Sequence, residues 1–187
     1  MSSNDEKALL GPLGALIGTW EGDKGNDVAP SADRNTRISR YRERLRFEPT
    51  GRVDNHEQVL YGLRYATTAW RVDEPNPYHE EVGYWMWDAT RKLVLRAFVI
   101  PRGITILAGG HAEPDAKSFR IVAELGSPTW GIASNPFLDE EFRTVRYELT
   151  VDVGDDGTFG YDETTVMQMK GRAEPFAHTD RNRLRRV

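Results

Sequence analysis

The chain of 187 residues contains no cysteine. Disulfides, zinc–thiolate sites, thiol nucleophiles and thiolate-ligated haem are therefore excluded, and packing alone must hold the interior together. Histidine is scarce as well. The four, His56, His79, His111 and His178, lie far apart in the chain. Neither His56-Glu57 nor His79-Glu80 continues into the His-Glu-x-x-His pattern of a zinc hydrolase. There is no glycine-rich phosphate loop ending in Lys-Ser or Lys-Thr and no Gly-x-Ser-x-Gly elbow. Apolar runs stay well short of the roughly 18 residues a membrane span needs. A net charge of -4 gives no electrostatic case for nucleic acid. The N-terminus, Met1 to Lys7, is polar and has no basic leader, so a cytoplasmic protein is expected.

What is abundant is aromatic surface and two-residue periodicity. The composition is 39% hydrophobic, with 5 Trp, 7 Tyr and 7 Phe, too much for a disordered chain. Leu9, Leu10, Leu13, Leu16 and Ile17 fall near helical spacing, which predicts a short helical plug broken by Pro12 and Gly14. A first strand is expected over 19–24, followed by a polar loop to Asn35. From Thr36 the period becomes two, with Tyr41, Glu43, Leu45 and Phe47 on one face and Arg40, Arg42, Arg44 and Arg46 on the other. Pro49-Thr50-Gly51 predicts a turn, and 53–72 one or two strands bent at 60–64. Segments 81–87, 92–101, 104–109 and 118–125 follow as short strands. An irregular stretch over 126–138 is expected to fold over the barrel wall. A last hairpin spans 142–153 and 158–170, turned by Gly154-Asp155-Asp156-Gly157. The expectation is an all-β fold: about ten strands in an antiparallel up-and-down barrel, lipocalin- or fatty-acid-binding-like, with residues 1–7 disordered and 8–187 one domain.

Gly18-Thr19-Trp20-Glu21-Gly22 places an indole at the start of the first strand, where it closes the barrel floor. Glu43 and Glu163 share faces with aromatic and apolar residues. If those faces point inward, each carboxyl needs a partner, for which Arg64, Arg96 and tyrosine hydroxyls are the candidates. The other reading is that a bulge inverts the register and leaves them wet.

Gly18-Thr-Trp20-Glu-Gly22, then Pro77-Tyr78-His79-Glu80-x-x-Gly83-Tyr84, then His178 with Leu184 six residues beyond, together resemble the nitrobindin family. That family also occurs as the haem-binding domain of some THAP-type zinc-finger proteins, and the likeness runs in order from Leu9 to Arg186. The pattern departs at Lys24, where a second glycine is usual. The resemblance implies a ten-stranded barrel with a b-type haem in an end cleft. His178 would be its only protein ligand, and His79 would stand on the cavity wall near the open side. It further implies nitric oxide binding and isomerisation of peroxynitrite to nitrate. Tyr41, Glu43 and Tyr78 are expected in the ligand cavity. A metal-free carrier of a fatty acid or other small apolar molecule is the competing function, and a barrel filled by its own aromatics a third.

Overall fold

A computed structural model describes residues 3–187. It contains a helix α1 (Ser3–Leu9), a 3-10 turn (Gly11–Leu16), and then strands β1 (Gly18–Pro30), β2 (Thr36–Asn55), β3 (Gln58–Arg71), β4 (His79–Asp88), β5 (Leu93–Ile100), β6 (Ile104–His111), β7 (Ser118–Glu124) and β8 (Ile132–Ser134). A helix α2 (Pro136–Glu141) precedes β9 (Phe142–Val153), β10 (Thr158–Met169) and β11 (Phe176–Arg186). Ten of the strands pair antiparallel in a closed ring, in which β7 neighbours β9 and β11 returns to β1. Where β6 and β7 part, with Gly109 and Val122 as their ladder pair, the three-residue β8 pairs with β6 instead. Closure pairs most of each long strand on both sides, and the end of β2 beyond Phe47 pairs with β3 alone.

Alternation behaves as the sequence predicts on β2, where Tyr41, Glu43, Leu45 and Phe47 are buried and Arg40, Arg42, Arg44 and Arg46 exposed. Several boundaries differ. The first strand runs on to Pro30, because a bulge between Gly22 and Gly25 resets its pairing with β2. At Gly25 a Cβ would run into the Tyr41 ring, so glycine there lets the tyrosine lie against the strand. Lys24 sits in the bulge and points to solvent. The Pro49-Thr50-Gly51 segment is a bulge within one long strand, Gly51 having φ of 77°. The chain turns later, at His56-Glu57. No bend interrupts β3 at 60–64. α1 begins at Ser3, inside the stretch expected to be disordered. In 126–138 the expected irregular chain contains β8, and Asn135 then caps α2 by accepting the Leu138 amide at 3.1 Å. The C-terminal segment is a full barrel strand paired on both sides.

Apolar residues from every wall fill one end. Leu10, Leu13 and Leu16 of the plug are buried against Trp20, Trp87 and Leu184. The Trp20 Nε1–H donates to the Leu16 carbonyl at 2.7 Å, and the ring meets Phe159 edge-on at 5.7 Å. Trp20 thus joins plug, floor and first strand. Trp20→Ala is expected to cost about 3–5 kcal/mol, as for other buried aromatics truncated to alanine. Urea unfolding measures it, and a midpoint equal to that of the parent would place Trp20 outside the floor's packing.

Candidate functional site

Above the aromatic floor lies a cavity of about 680 Å³ that opens at the opposite end of the barrel. The inward positions of the strands build it in layers. At mid-depth the register places Glu43, Thr67, Glu81 and Arg96 on β2 to β5, and Tyr147, Tyr161, Glu163 and Asn182 on β9 to β11. Nearer the mouth stand Asp27, Tyr78, His79 and His178 on one side. Ile104, Leu138, Phe142 and Met167 form an apolar wall on the other.

Two polar networks fill the middle layer. Arg96, 6% exposed, donates from Nη2 to Glu81, from Nη1 to Tyr147 Oη and from Nε to Tyr65 Oη at 3.1 Å. Its Nη1 also lies 3.4 Å from Glu163, to which Tyr147 donates at 2.8 Å. Glu81 then receives Tyr65 at 3.0 Å and pairs with His79 Nε2 at 3.2 Å. Burial opposes ionisation of Glu81, but Arg96 and His79 outweigh it and bring its pKa down to about 2. Burial likewise opposes a charged His79, and the hydrogen bond and charge of Glu81 reverse this, raising it to about 9. Glu163 goes the other way: burial, then the nearby Glu81 charge, raise its pKa.

The second network belongs to β1, β2, β3, β10 and β11. Glu43 accepts from Thr67 at 2.9 Å, Tyr161 at 2.9 Å and Asn182 at 3.0 Å. Tyr41 and Tyr161 place their hydroxyls 2.8 Å apart, and Tyr41 also bonds Asp180. His178 Nε2 meets Asp27 Oδ1 at 2.7 Å. Along the wall Asp27 lies opposite Asp180, and Asp180 opposite Glu163.

All five site residues expected from sequence, Tyr41, Glu43, Tyr78, His79 and His178, line this one cavity. Of the candidate partners, Arg96 reaches Glu163 and Tyr161 reaches Glu43. Arg64 instead forms an exposed ion pair with Glu48. Sequence reasoning missed Asp27, Tyr147, Asp180 and Asn182. Asp180 and Asn182 follow His178 at steps of two, so a strand pattern was present beneath the tail's charge. Asp27 is hidden by the bulge that precedes it.

The fold and the cavity define a β-barrel that takes a small molecule inside its walls. The chain belongs to the THAP4-like, heme-binding beta-barrel domain family, whose model matches residues 9–186. Among solved structures, Rv2717c from M. tuberculosis is similar in fold. It has a TM-score of 0.67 at 20% identity, over 96% of this chain and 97% of that one. No curated protein sequence matches significantly.

Arg96→Met is expected to cost about 3–5 kcal/mol, since it removes the buried cation between Glu81 and Glu163 and leaves Glu81 with His79 alone. Adding Glu81→Gln should recover part of the loss. A double-mutant cycle in urea reads the coupling, and additive losses would show that Arg96 acts by packing alone.

His79 supplies a pH test. Its stabilisation is complete below about pH 6.5, the ordinary histidine value, and is lost as pH climbs through about 9. Urea midpoints of the parent should therefore fall across that window, and His79→Gln should flatten the fall. An imidazole NMR titration centred at the ordinary value would refute the assignment.

Proposed function

We propose that the barrel binds haem b, with His178 as the single protein ligand to iron. The pairing of His178 with buried Asp27 at the cavity mouth carries this reading. Metal-bound histidines commonly hold one ring nitrogen on a carboxylate, which fixes the ring and raises its basicity. His79 is the poorer ligand, because its pKa near 9 keeps a proton on the ring at neutral pH. The fit of the remaining residues can be tested on the donors left over. Arg71 Nε and Trp85 Nε1 are buried polar atoms without a partner on residues that line the cavity. Arg71 and Arg102, both lining the mouth, suit the two carboxylates of the macrocycle, while Leu138, Phe142 and Met167 suit its apolar face. These residues fit the group.

When bound, haem supplies an iron centre with one face open to a diatomic or to peroxynitrite. The family's association with nitric oxide and with isomerisation of peroxynitrite to nitrate extends this reading to an activity. The protein's own share is to orient the His178 ring through Asp27, exclude water along the apolar wall and offer an N–H from protonated His79. A second reading is favoured by one observation: Asp27 occupies Nε2, the outer nitrogen, and leaves only Nδ1 beside the β11 backbone. On that reading the cavity carries a metal-free amphipathic molecule.

Haem titration followed by absorption distinguishes them. The expected ferric spectrum is that of a single histidine, five-coordinate or weakly aquated. His178→Ala should abolish it, and Asp27→Asn should weaken binding about 10–100-fold. Absence of uptake by the parent at micromolar haem would overturn the haem reading in favour of the carrier.

A further inference from the structure

The outer wall of the barrel carries its charge unevenly. On β2 the outward positions at steps of two are Ile38, Arg40, Arg42, Arg44 and Arg46, all exposed. On β11 they are Arg181, Arg183 and Arg185, exposed as well. β1 lies between these strands and adds Lys24 from its bulge. Strand geometry sets the two arginine columns about 10 Å apart and successive arginines about 7 Å apart along each. Glu21 takes Arg44 at 3.5 Å and Glu48 takes Arg46 at 2.6 Å, but among the described residues Arg40, Arg42, Lys24, Arg181, Arg183 and Arg185 form no ion pair. Asp23, Asp162 opposite Arg181, and Asp156 near Arg185 temper the charge without reversing it. By contrast Arg120 on β7 and Arg143 and Arg146 on β9 each hold an acid.

At the mouth end of the same face stand aliphatic side chains. Ile38 is 69% exposed, and Val72, whose amide donates to the Arg40 carbonyl at 3.2 Å, is 51% exposed. Half-buried Val28 lies opposite Ile38 on β1. Trp70, two residues before Val72, carries the Arg42 guanidinium over its ring at 4.5 Å. Ala29, Pro30 and Arg71, the neighbours of Val28 and Val72 in the chain, line the cavity.

We propose that this wall docks on the surface of an anionic phospholipid bilayer, with Ile38 and Val72 entering the interfacial layer and the cavity mouth turned to the lipid boundary. An anionic leaflet attracts basic side chains only within a Debye length, about 8 Å at physiological salt. The face that touches therefore decides, and the net charge of -4 on the whole chain does not. The aliphatic residues select the occupant. Phosphates of a nucleic acid would suit the arginines but leave Ile38 and Val72 in water, whereas the interfacial layer accepts both. Two aliphatic side chains are too few to anchor the barrel alone, so the attachment is electrostatic, salt-sensitive and reversible. Docked in this way, the cavity exchanges an apolar or amphipathic ligand with the bilayer along its rim. The inference concerns the exterior of the barrel and holds for haem and for a metal-free ligand alike.

Cosedimentation of the full chain with vesicles of equimolar phosphatidylserine and phosphatidylcholine tests it, against vesicles of phosphatidylcholine alone. The parent is expected to bind only the anionic vesicles and to be released by salt. Arg42→Gln with Arg183→Gln should weaken binding roughly fivefold per arginine, and Arg42→Lys with Arg183→Lys should retain it. Arg120→Gln with Arg143→Gln removes the same charge from other strands and should leave binding unchanged. Because the chain has no cysteine, Ile38→Cys and Thr105→Cys each accept a single polarity-sensitive dye. The dye on β2 should shift to the blue on anionic vesicles, and the dye on β6 should not. Failure of the parent to bind, equal weakening by the control pair, or equal shifts of the two dyes overturns the proposal. Tighter binding to a single-stranded DNA oligonucleotide, unaffected by Ile38→Ser, would assign the wall to nucleic acid and overturn it as well.

Discussion

Arg96 is the interaction on which the cavity depends. A guanidinium buried in a barrel is costly to desolvate, and it persists here because the Glu81 carboxylate neutralises it while Tyr65, Tyr147 and Glu163 accept its remaining hydrogens. These partners come from β3, β4, β9 and β10, on both sides of the ring. Arg96 thereby holds opposite walls apart at a fixed distance with charge instead of filling the space with side chains. The void above it survives for that reason. Below it Trp20, Phe47, Trp85 and Phe159 pack to an ordinary dense core.

The two cavity histidines have been made unlike by their carboxylates. His79 pairs with Glu81, which is itself held ionised by Arg96, so the imidazole keeps its proton and acts as a cationic donor. His178 pairs with Asp27 on the neighbouring first strand, outside the Arg96 network. Two residues of one type thus receive separate chemistry from the strand each is attached to. The same division runs through the acids. Glu81 is ionised by its neighbours, whereas burial drives Glu163, Glu43 and Asp180 toward the neutral form.

A loop-like composition can conceal a strand where a bulge or a charged exterior breaks the pattern. Asn26-Asp27-Val28-Ala29-Pro30 reads as loop, yet all five pair with β2 and the first three also with β11 once the bulge at Gly22 to Gly25 has shifted the register. The C-terminal segment reads as a charged tail because Arg181, Arg183 and Arg185 alternate with the cavity residues. That alternation is what a barrel strand with one wet face requires. Glu43 was legible as an inward carboxyl from its own strand, since three apolar neighbours at steps of two fix its face.

By itself the sequence determined the class of fold, the position of the plug and floor, and the inward face of the second strand, because these follow from local periodicity and from Trp20 beside a glycine-rich start. Tertiary structure decided what the inward polar residues do. Asp27 with His178, Tyr41 with Asp180, and Arg96 with Glu163 are separated by 151, 139 and 67 residues. No local pattern encodes such pairings. They follow only from ring closure, which brings β11 against β1 and sets each side chain at the depth where its partner waits.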